Sequence, residues 1–258
     1  MNNAKILIYD GTFNGFLTAV FTCFEEKLYD VEIQQEGNVQ NGLFAETQSV
    51  YTQEDKAKRV WAGIQKRSSE SIKNIYFAFL SEHKAIEALL YHYIQKLMKS
   101  KENIVNNYAD DCVLKINQLA RAVGREKHRM EAFVRFQRTK DLVYFANIEP
   151  DFNVLPLISK HFKNRYADQQ WVIYDIKRSY GLYYDLETVA IISLDLEEPF
   201  TNSIHKNNAF TKEENIYQEL WNNYFNSTTI KSRINKKLHT QHVPKRYWKY
   251  LSEKKQAS

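Results

Sequence analysis

The stretch from Met130 to Asp185 constrains the fold most, because its hydrophobic pattern switches period more than once within a short length. Phe133, Arg135, Gln137 and Thr139 alternate with Val134, Phe136 and Arg138, the period of two expected where successive side chains point to opposite sheet faces. Lys140-Asp141 makes a polar break, and Leu142 to Ile148 resumes as a run rich in β-branched and aromatic residues, so the two segments predict a β-hairpin. Pro150 and Asp151 end the second strand. Asn153 is placed to cap a helix in which Leu155, Ile158, Phe162 and Tyr166 recur at helical spacing. On that helix His161 and Arg165, four residues apart, share a face. Trp171 to Ile176, Gly181 to Tyr184 and Val189 to Leu194 predict three more strands. The resulting order, β-β-α-β-β-β, implies an α+β protein whose sheet is largely antiparallel, with a helix on one side.

Ahead of this core, Lys5 to Tyr9 predicts a strand, Asp10-Gly11-Thr12 a turn, and residues 14–28 a helix capped by Thr12 or Asn14. Such a strand–turn–helix can hold an anion on its backbone N–H groups. Here Asp10 brings the wrong charge, and Gly11 and Gly15 fit neither common phosphate-loop spacing. Val31 to Gln34 and Phe44 to Tyr51 predict strands, and Thr52 with Asp55 predicts a capping box opening a helix through Arg67. Ser71 to Ser100 predicts one helix, with an apolar stripe through Ile72, Ile75, Phe79, Ile86, Leu90 and Leu97. Asn107 is a cap for a helix from Tyr108 to Val123, with Gly124 just past its end. After the core, residues 197–210 predict a polar loop containing Pro199, and residues 213–225 a helix. The division expected is an N-terminal α/β portion with long helices over 1–105, a central α+β core over 106–212 and a basic helical region over 213–258; the three are also compatible with one compact unit.

With 258 residues, 43% of them hydrophobic, the chain has material for a real core. It contains no run of 18 or more apolar residues, and its first residues lack the pattern of a secretory leader, which predicts no membrane span and a cytoplasmic location. Cys23 and Cys112 sit among apolar residues, as small buried hydrophobes do. Two cysteines argue against a disulfide framework, a cysteine zinc site and a cysteine-ligated iron–sulfur cluster. His83 and His92 are nine residues apart, the wrong spacing for one helix face. No metal site and no cofactor is expected.

The net charge of +5 is unevenly spread. From Asn226 to Ser258 there are nine Lys or Arg against one acidic residue, which leaves 27 basic and 30 acidic residues elsewhere. A second basic zone, Arg121 to Lys140, has seven basic residues and two acidic ones. Two basic zones in an otherwise acidic chain point to a polyanion partner. In the C-terminal zone Lys231, Arg233, Lys236 and Lys237 precede Lys245 and Arg246, which lie beside Tyr247, Trp248 and Tyr250. Cations contact phosphates and aromatic rings stack on exposed bases, so the mixture suits single-stranded or distorted DNA, or RNA. A terminal helix that buries its aromatics and turns its lysines to water has the same composition. In the core, Arg135, His161, Arg165, Asp175 and Arg178 form the most chemically suggestive set. Asp175 lies in an apolar strand and needs Arg or His as a partner if buried. A His161–Asp175 pair could do acid–base work, and structural pairing is the alternative.

The segments MEAFVRFQRTKDLVYFANIEPDFNVLPLISKHFKNRYADQQWVIYD, YDGTFNGFLTAVF and RINKKLHTQHVPKRYW together resemble a bacterial family of DNA metabolism proteins built on domain of unknown function 4130. The resemblance covers nearly the whole chain, and Phe133, Arg135, Phe136, Pro150, His161, Phe162, Arg165, Trp171 and Asp175 carry it. It implies a place beside a radical-SAM protein of DNA modification or repair, without assigning catalytic residues. The chain itself has no CxxxCxxC motif, so radical chemistry would belong to that neighbour. The expectation is a DNA-binding accessory to a radical-SAM enzyme. Arg135, Arg138 and Lys140, with Arg165, Arg178 and the C-terminal cations, would position phosphates while Trp248 contacts a base. The alternatives are an enzyme acting on a nucleic-acid base or nucleotide through His161 and Asp175, and a protein-docking scaffold without chemistry.

Overall fold

In a computed structural model, which describes residues 5–28, 31–37, 46–100, 102–193, 211, 217, 220, 236–251 and 254, the chain divides into two compact units, Met1–Gly124 and Arg125–Ser258. The first is built on strand β1 (Lys5–Tyr9), which runs between β2 (Val31–Gln35) and β3 (Glu46–Ser49) and is parallel to both. A parallel partner cannot be reached by a tight turn. Helix α1 (Phe13–Glu25) supplies the crossover from β1 to β2 and buries Phe16, Leu17, Val20 and Cys23. Thr12 caps α1, accepting from the Gly15 amide at 2.9 Å.

Helices α2 (Glu54–Arg67), α3 (Ser69–Phe79), α4 (Ile86–Lys99) and α5 (Asp111–Phe133) follow. Leu7, Phe16, Ile64, Ile75, Leu90 and Ile116 meet in one core. The apolar stripe expected as a single helix over 71–100 is broken into α3 and α4. Ser81 is buried, donates to the Ala78 carbonyl and accepts from the His83 amide at 3.3 Å, while Glu82 and Ala85 take positive φ. A serine that satisfies backbone groups itself competes with the helical ladder. The capping box at Thr52 is also absent: Gln53 is the N-cap of α2 without a side-chain bond, and Thr52 donates instead to Asp10 at 2.7 Å.

Helix α5 does not stop at Gly124. Good helix formers on both sides, Ala120 to Ala122 and Arg125 to Lys127, carry it through a residue that costs about 1 kcal/mol in a helix interior. The strand expected from Phe133 is correspondingly reduced to β4 (Gln137–Arg138). Arg135 closes the helix end by donating to the carbonyls of Ala132 at 2.7 Å and Val134 at 3.2 Å.

The second unit contains the five-stranded sheet β4-β5-β6-β7-β8, with β5 (Tyr144–Ile148), β6 (Trp171–Asp175), β7 (Tyr180–Tyr184) and β8 (Val189–Ile192). Helix α6 (Leu155–Arg165) joins β5 to β6, so the element order β-β-α-β-β-β is found. The protein is α+β, but the expected largely antiparallel sheet requires correction. The first sheet is wholly parallel, and the second is mixed, with β5 and β6 parallel and its other three pairings antiparallel. The reason lies in the connections: a helix between two strands returns the chain to the starting edge, so the second strand enters in the same direction.

Trp171 is the centre of this unit's core. Its ring centroid lies 5.4 Å from Tyr184, 6.2 Å from Phe162 and 6.3 Å from Phe136. Asn153 does not cap α6; Val154 holds that position, and the Asn153 side-chain oxygen accepts from the Tyr180 hydroxyl. Near the C-terminus come helix α7 (Lys236–His242) and a 3-10 helix (Lys245–Tyr250), which buries Tyr247 and is followed by buried Leu251. The loop expected over 197–210 and nearly all of the helix expected over 213–225 lie outside the described residues. Among the described residues no helix is long and apolar enough to cross a membrane.

Candidate nucleic-acid interface

The C-terminal 3-10 helix is fixed by a carboxylate that sits in an apolar stripe. Glu126 occupies the same face of α5 as Met130, with Val134 just past the helix end continuing the four-residue spacing, and all three are buried. At 0% exposure Glu126 must find partners within the protein. It accepts from the Tyr247 hydroxyl and from the Asp151 amide at 2.9 Å, with the Arg129 guanidinium at 3.3 Å and that of Arg246 at 3.8 Å. Burial, followed by the Glu126 carboxylate, pushes the Tyr247 phenol above its usual range.

On the outside of this anchor two more acids hold two more cations. Arg246 pairs with Asp151 at 2.5 Å, and its guanidinium lies 4.5 Å from the Tyr247 ring centroid. Lys249 pairs with Glu149, which also accepts from the Tyr250 hydroxyl at 2.7 Å. The hydrogen bond from Lys249, then that from Tyr250, holds the Glu149 carboxyl below its ordinary value. Both acids belong to the connection between β5 and α6.

That connection also receives the β6–β7 turn. Asp175, at the buried end of β6, accepts from the amides of Lys177 at 3.0 Å and Arg178 at 3.3 Å, and pairs with the Arg178 guanidinium at 2.8 Å. Arg178 donates onward to the carbonyls of Pro150 and Asp151, each at 3.2 Å. Burial raises the Asp175 carboxyl, against the pull of Arg178. Asp175 thus has the cationic partner its burial requires, and the two side chains tie one loop to another.

His161 takes no part in these bonds. Its Nδ1 is 3.8 Å from Glu131 Oε1, an acid that also pairs with Lys127. No hydrogen bond or ion pair among the described residues joins His161 to Asp175. Arg135 is used at the end of α5, and the backbone carbonyl of Arg138 accepts from the Thr211 amide at 3.1 Å. Lys140 is exposed at the β4–β5 turn, and Arg165 is exposed in the last turn of α6, 5.9 Å from the Tyr166 ring. Lys231 and Arg233 lie outside the described residues, as does the side chain of Lys236; Lys237 is exposed on α7. Lys245 is exposed with its Nζ 6.0 Å from the Trp248 ring, and Lys254 approaches the same ring at 5.7 Å. The indole N–H of Trp248 donates to the Val243 carbonyl at 2.9 Å.

The residues missed from sequence are the acids: Glu126, Glu131, Glu149 and Asp151. For Glu126 a signal existed, a carboxylate at helical spacing with Met130 and Val134. For Glu149 and Asp151 there was none, because their cations lie about 95 to 100 residues away in sequence. Among the described residues no group of three or more His, Cys, Asp or Glu is arranged to hold a metal ion.

No curated protein matches the chain. Residues 84–253, about two thirds of its length, match the domain of unknown function DUF4130. The chain therefore belongs to the DUF4130 family.

Proposed function

We propose that this protein is a DNA-binding accessory in DNA repair or modification, acting with a radical-SAM enzyme in a bacterial cytoplasm. The partner and the setting rest on the family resemblance. The DNA-binding part has a physical basis in one observation: a C-terminal segment anchored by Tyr247 carries Lys245 and Trp248 together on its outer side. A cation beside an aromatic ring is the pairing used to hold a phosphate and stack a base.

The contribution of the predicted cations is unequal. Lys140, Arg165, Lys237 and Lys245 are exposed, and no acidic partner engages them among the described residues. Arg178 is taken up by Asp175, while Arg246 and Lys249 are each paired with an acid. The test is binding of labelled single- and double-stranded DNA across a salt series. Alanine at Lys237 and Lys245 is expected to weaken binding and reduce the salt slope by about 1 for each phosphate that is no longer neutralised. Unchanged binding in that double variant rejects the role given to the segment. Absence of wild-type binding at low salt rejects the DNA-binding reading altogether.

A further inference from the structure

Arg246 and Lys249, unlike Arg178, remain accessible although each is paired with an acid. Their side chains are 44% and 57% exposed, against 9% for Arg178. Each lies against an aromatic ring of its own segment, Arg246 at 4.5 Å from Tyr247 and Lys249 at 5.0 Å from Tyr250, which limits where its charge can go. A third exposed cation, Lys177, reaches the same connection, its Nζ 3.3 Å from the Asp151 carbonyl. It also helps to hold the Glu149 carboxyl down. Three exposed cations and one phenol hydroxyl, that of Tyr250, therefore converge on the short segment Glu149 to Asp151, which the nearly buried Arg178 also reaches. Arg246, Lys249 and Tyr250 engage two carboxylates that are themselves half exposed, and Lys177 the backbone carbonyl of Asp151.

Ion pairs with this exposure add little to stability, of order 1 kcal/mol or less, so the contribution of Arg246 to the fold comes through buried Glu126 and Tyr247 and not through Asp151. The charge pattern is that of a phosphate surface whose anion positions are filled from within. We propose that Lys177, Arg246 and Lys249 form a DNA-backbone-binding surface in which Glu149 and Asp151 stand in for phosphates, and that DNA must displace them. The acids are autoinhibitory: they lower affinity and select for DNA able to supply phosphates at both positions. Glu126 is distinct from these two, since it is fully buried and holds Tyr247 whether or not the surface is occupied.

This inference rests on the DNA-binding reading, but its test is separable. The variant E149Q/D151N keeps the size of both side chains and removes their charge. With Asp151 and Glu149 uncharged, Lys249 is released and Arg246 keeps only its longer approach to Glu126 at 3.8 Å, so binding to double-stranded DNA should tighten severalfold at low salt and the salt slope should steepen by about 1 to 2. In wild type, R246A/K249A should weaken binding by less than it does in the E149Q/D151N background, because in wild type Asp151 and Glu149 already compete with phosphate for those cations. In the E149Q/D151N background the same pair of alanines should abolish the gain. A gain that is absent although wild type binds, or that survives R246A/K249A, overturns the inference and leaves the DNA-binding reading standing; absence of binding in both wild type and E149Q/D151N overturns both. Thermal melting confirms that each variant folds. Should the double variant not fold, E149Q alone decides the matter, with a smaller tightening at low salt expected and no change overturning the proposal.

Discussion

The hydroxyl of Tyr247 donates to the carboxylate of Glu126, 121 residues earlier in the chain, and both groups are withdrawn from water. The contact converts a basic C-terminal segment into a fixed part of the second unit. In Tyr247→Phe the ring still fills its site while Glu126 loses a donor. A buried acceptor left short of a partner costs about 1–3 kcal/mol. Urea unfolding of the phenylalanine variant should show that loss with an unchanged m-value. A loss well under 1 kcal/mol would mean that the hydroxyl contributes nothing to the anchor.

Gly15→Ala should be destabilising although alanine is the better helix former. A Cβ at this position would come within 2.1 Å of Asp10 Oδ1 and 2.8 Å of Thr52 Oγ1. Asp10 cannot yield easily, since the Thr12 amide, the Thr12 hydroxyl and the Thr52 hydroxyl all donate to it. The expected cost is about 1–3 kcal/mol, as for overpacking generally, where an open helix position would gain close to 1 kcal/mol. A stabilised variant, measured by thermal or urea unfolding, would contradict this account of the turn.

Thr52→Val removes one of those donors and gives a test in pH. Burial alone would raise the Asp10 carboxyl, but the Thr52 and Thr12 hydrogen bonds prevail and hold it below its ordinary value of 3.8. A depressed folded-state value stabilises the protein above the unfolded-state value, and that stabilisation is lost as pH falls through the depressed one. Wild type should therefore exceed the valine variant by about 1 kcal/mol at neutral pH. The difference should shrink below about pH 4 as Asp10 takes up its proton. A difference independent of pH between 3 and 7 would dissociate the Thr52 bond from the charge of Asp10.

Leu142→Gly should stabilise, against the usual sign of a leucine-to-glycine change. Leu142 has φ 65° in the β4–β5 turn and its side chain is 58% exposed. The left-handed region costs a residue with a Cβ about 1–2 kcal/mol, and glycine occupies it freely. After allowance for the extra freedom of glycine in the unfolded chain, a gain of about 0.5–1 kcal/mol is expected in thermal unfolding. A loss would show that the exposed leucine has packing not evident from its accessibility.

What depends on short range is legible in the residues alone. Periodicity located β1, α1, β5, α6, β6 and β7, because each has enough residues to display its own spacing. It indicated that a buried Asp175 would need a cation, and Arg178 lies only three residues away. Thr12 as the cap of α1 follows from the same locality. Tertiary structure decided the rest. Parallel or antiparallel pairing depends on which sheet edge a connection returns to, and the pattern within a strand is the same for either. The break between α3 and α4 depends on Ser81 and two residues of positive φ, neither of which interrupts the apolar stripe. Above all, positive charge is visible in sequence but its neutralisation is not. Arg246 and Lys249 look as available as Lys245 until the fold brings up Asp151 and Glu149, roughly a hundred residues away. Coulomb energy depends on distance through space, and sequence separation carries no record of it.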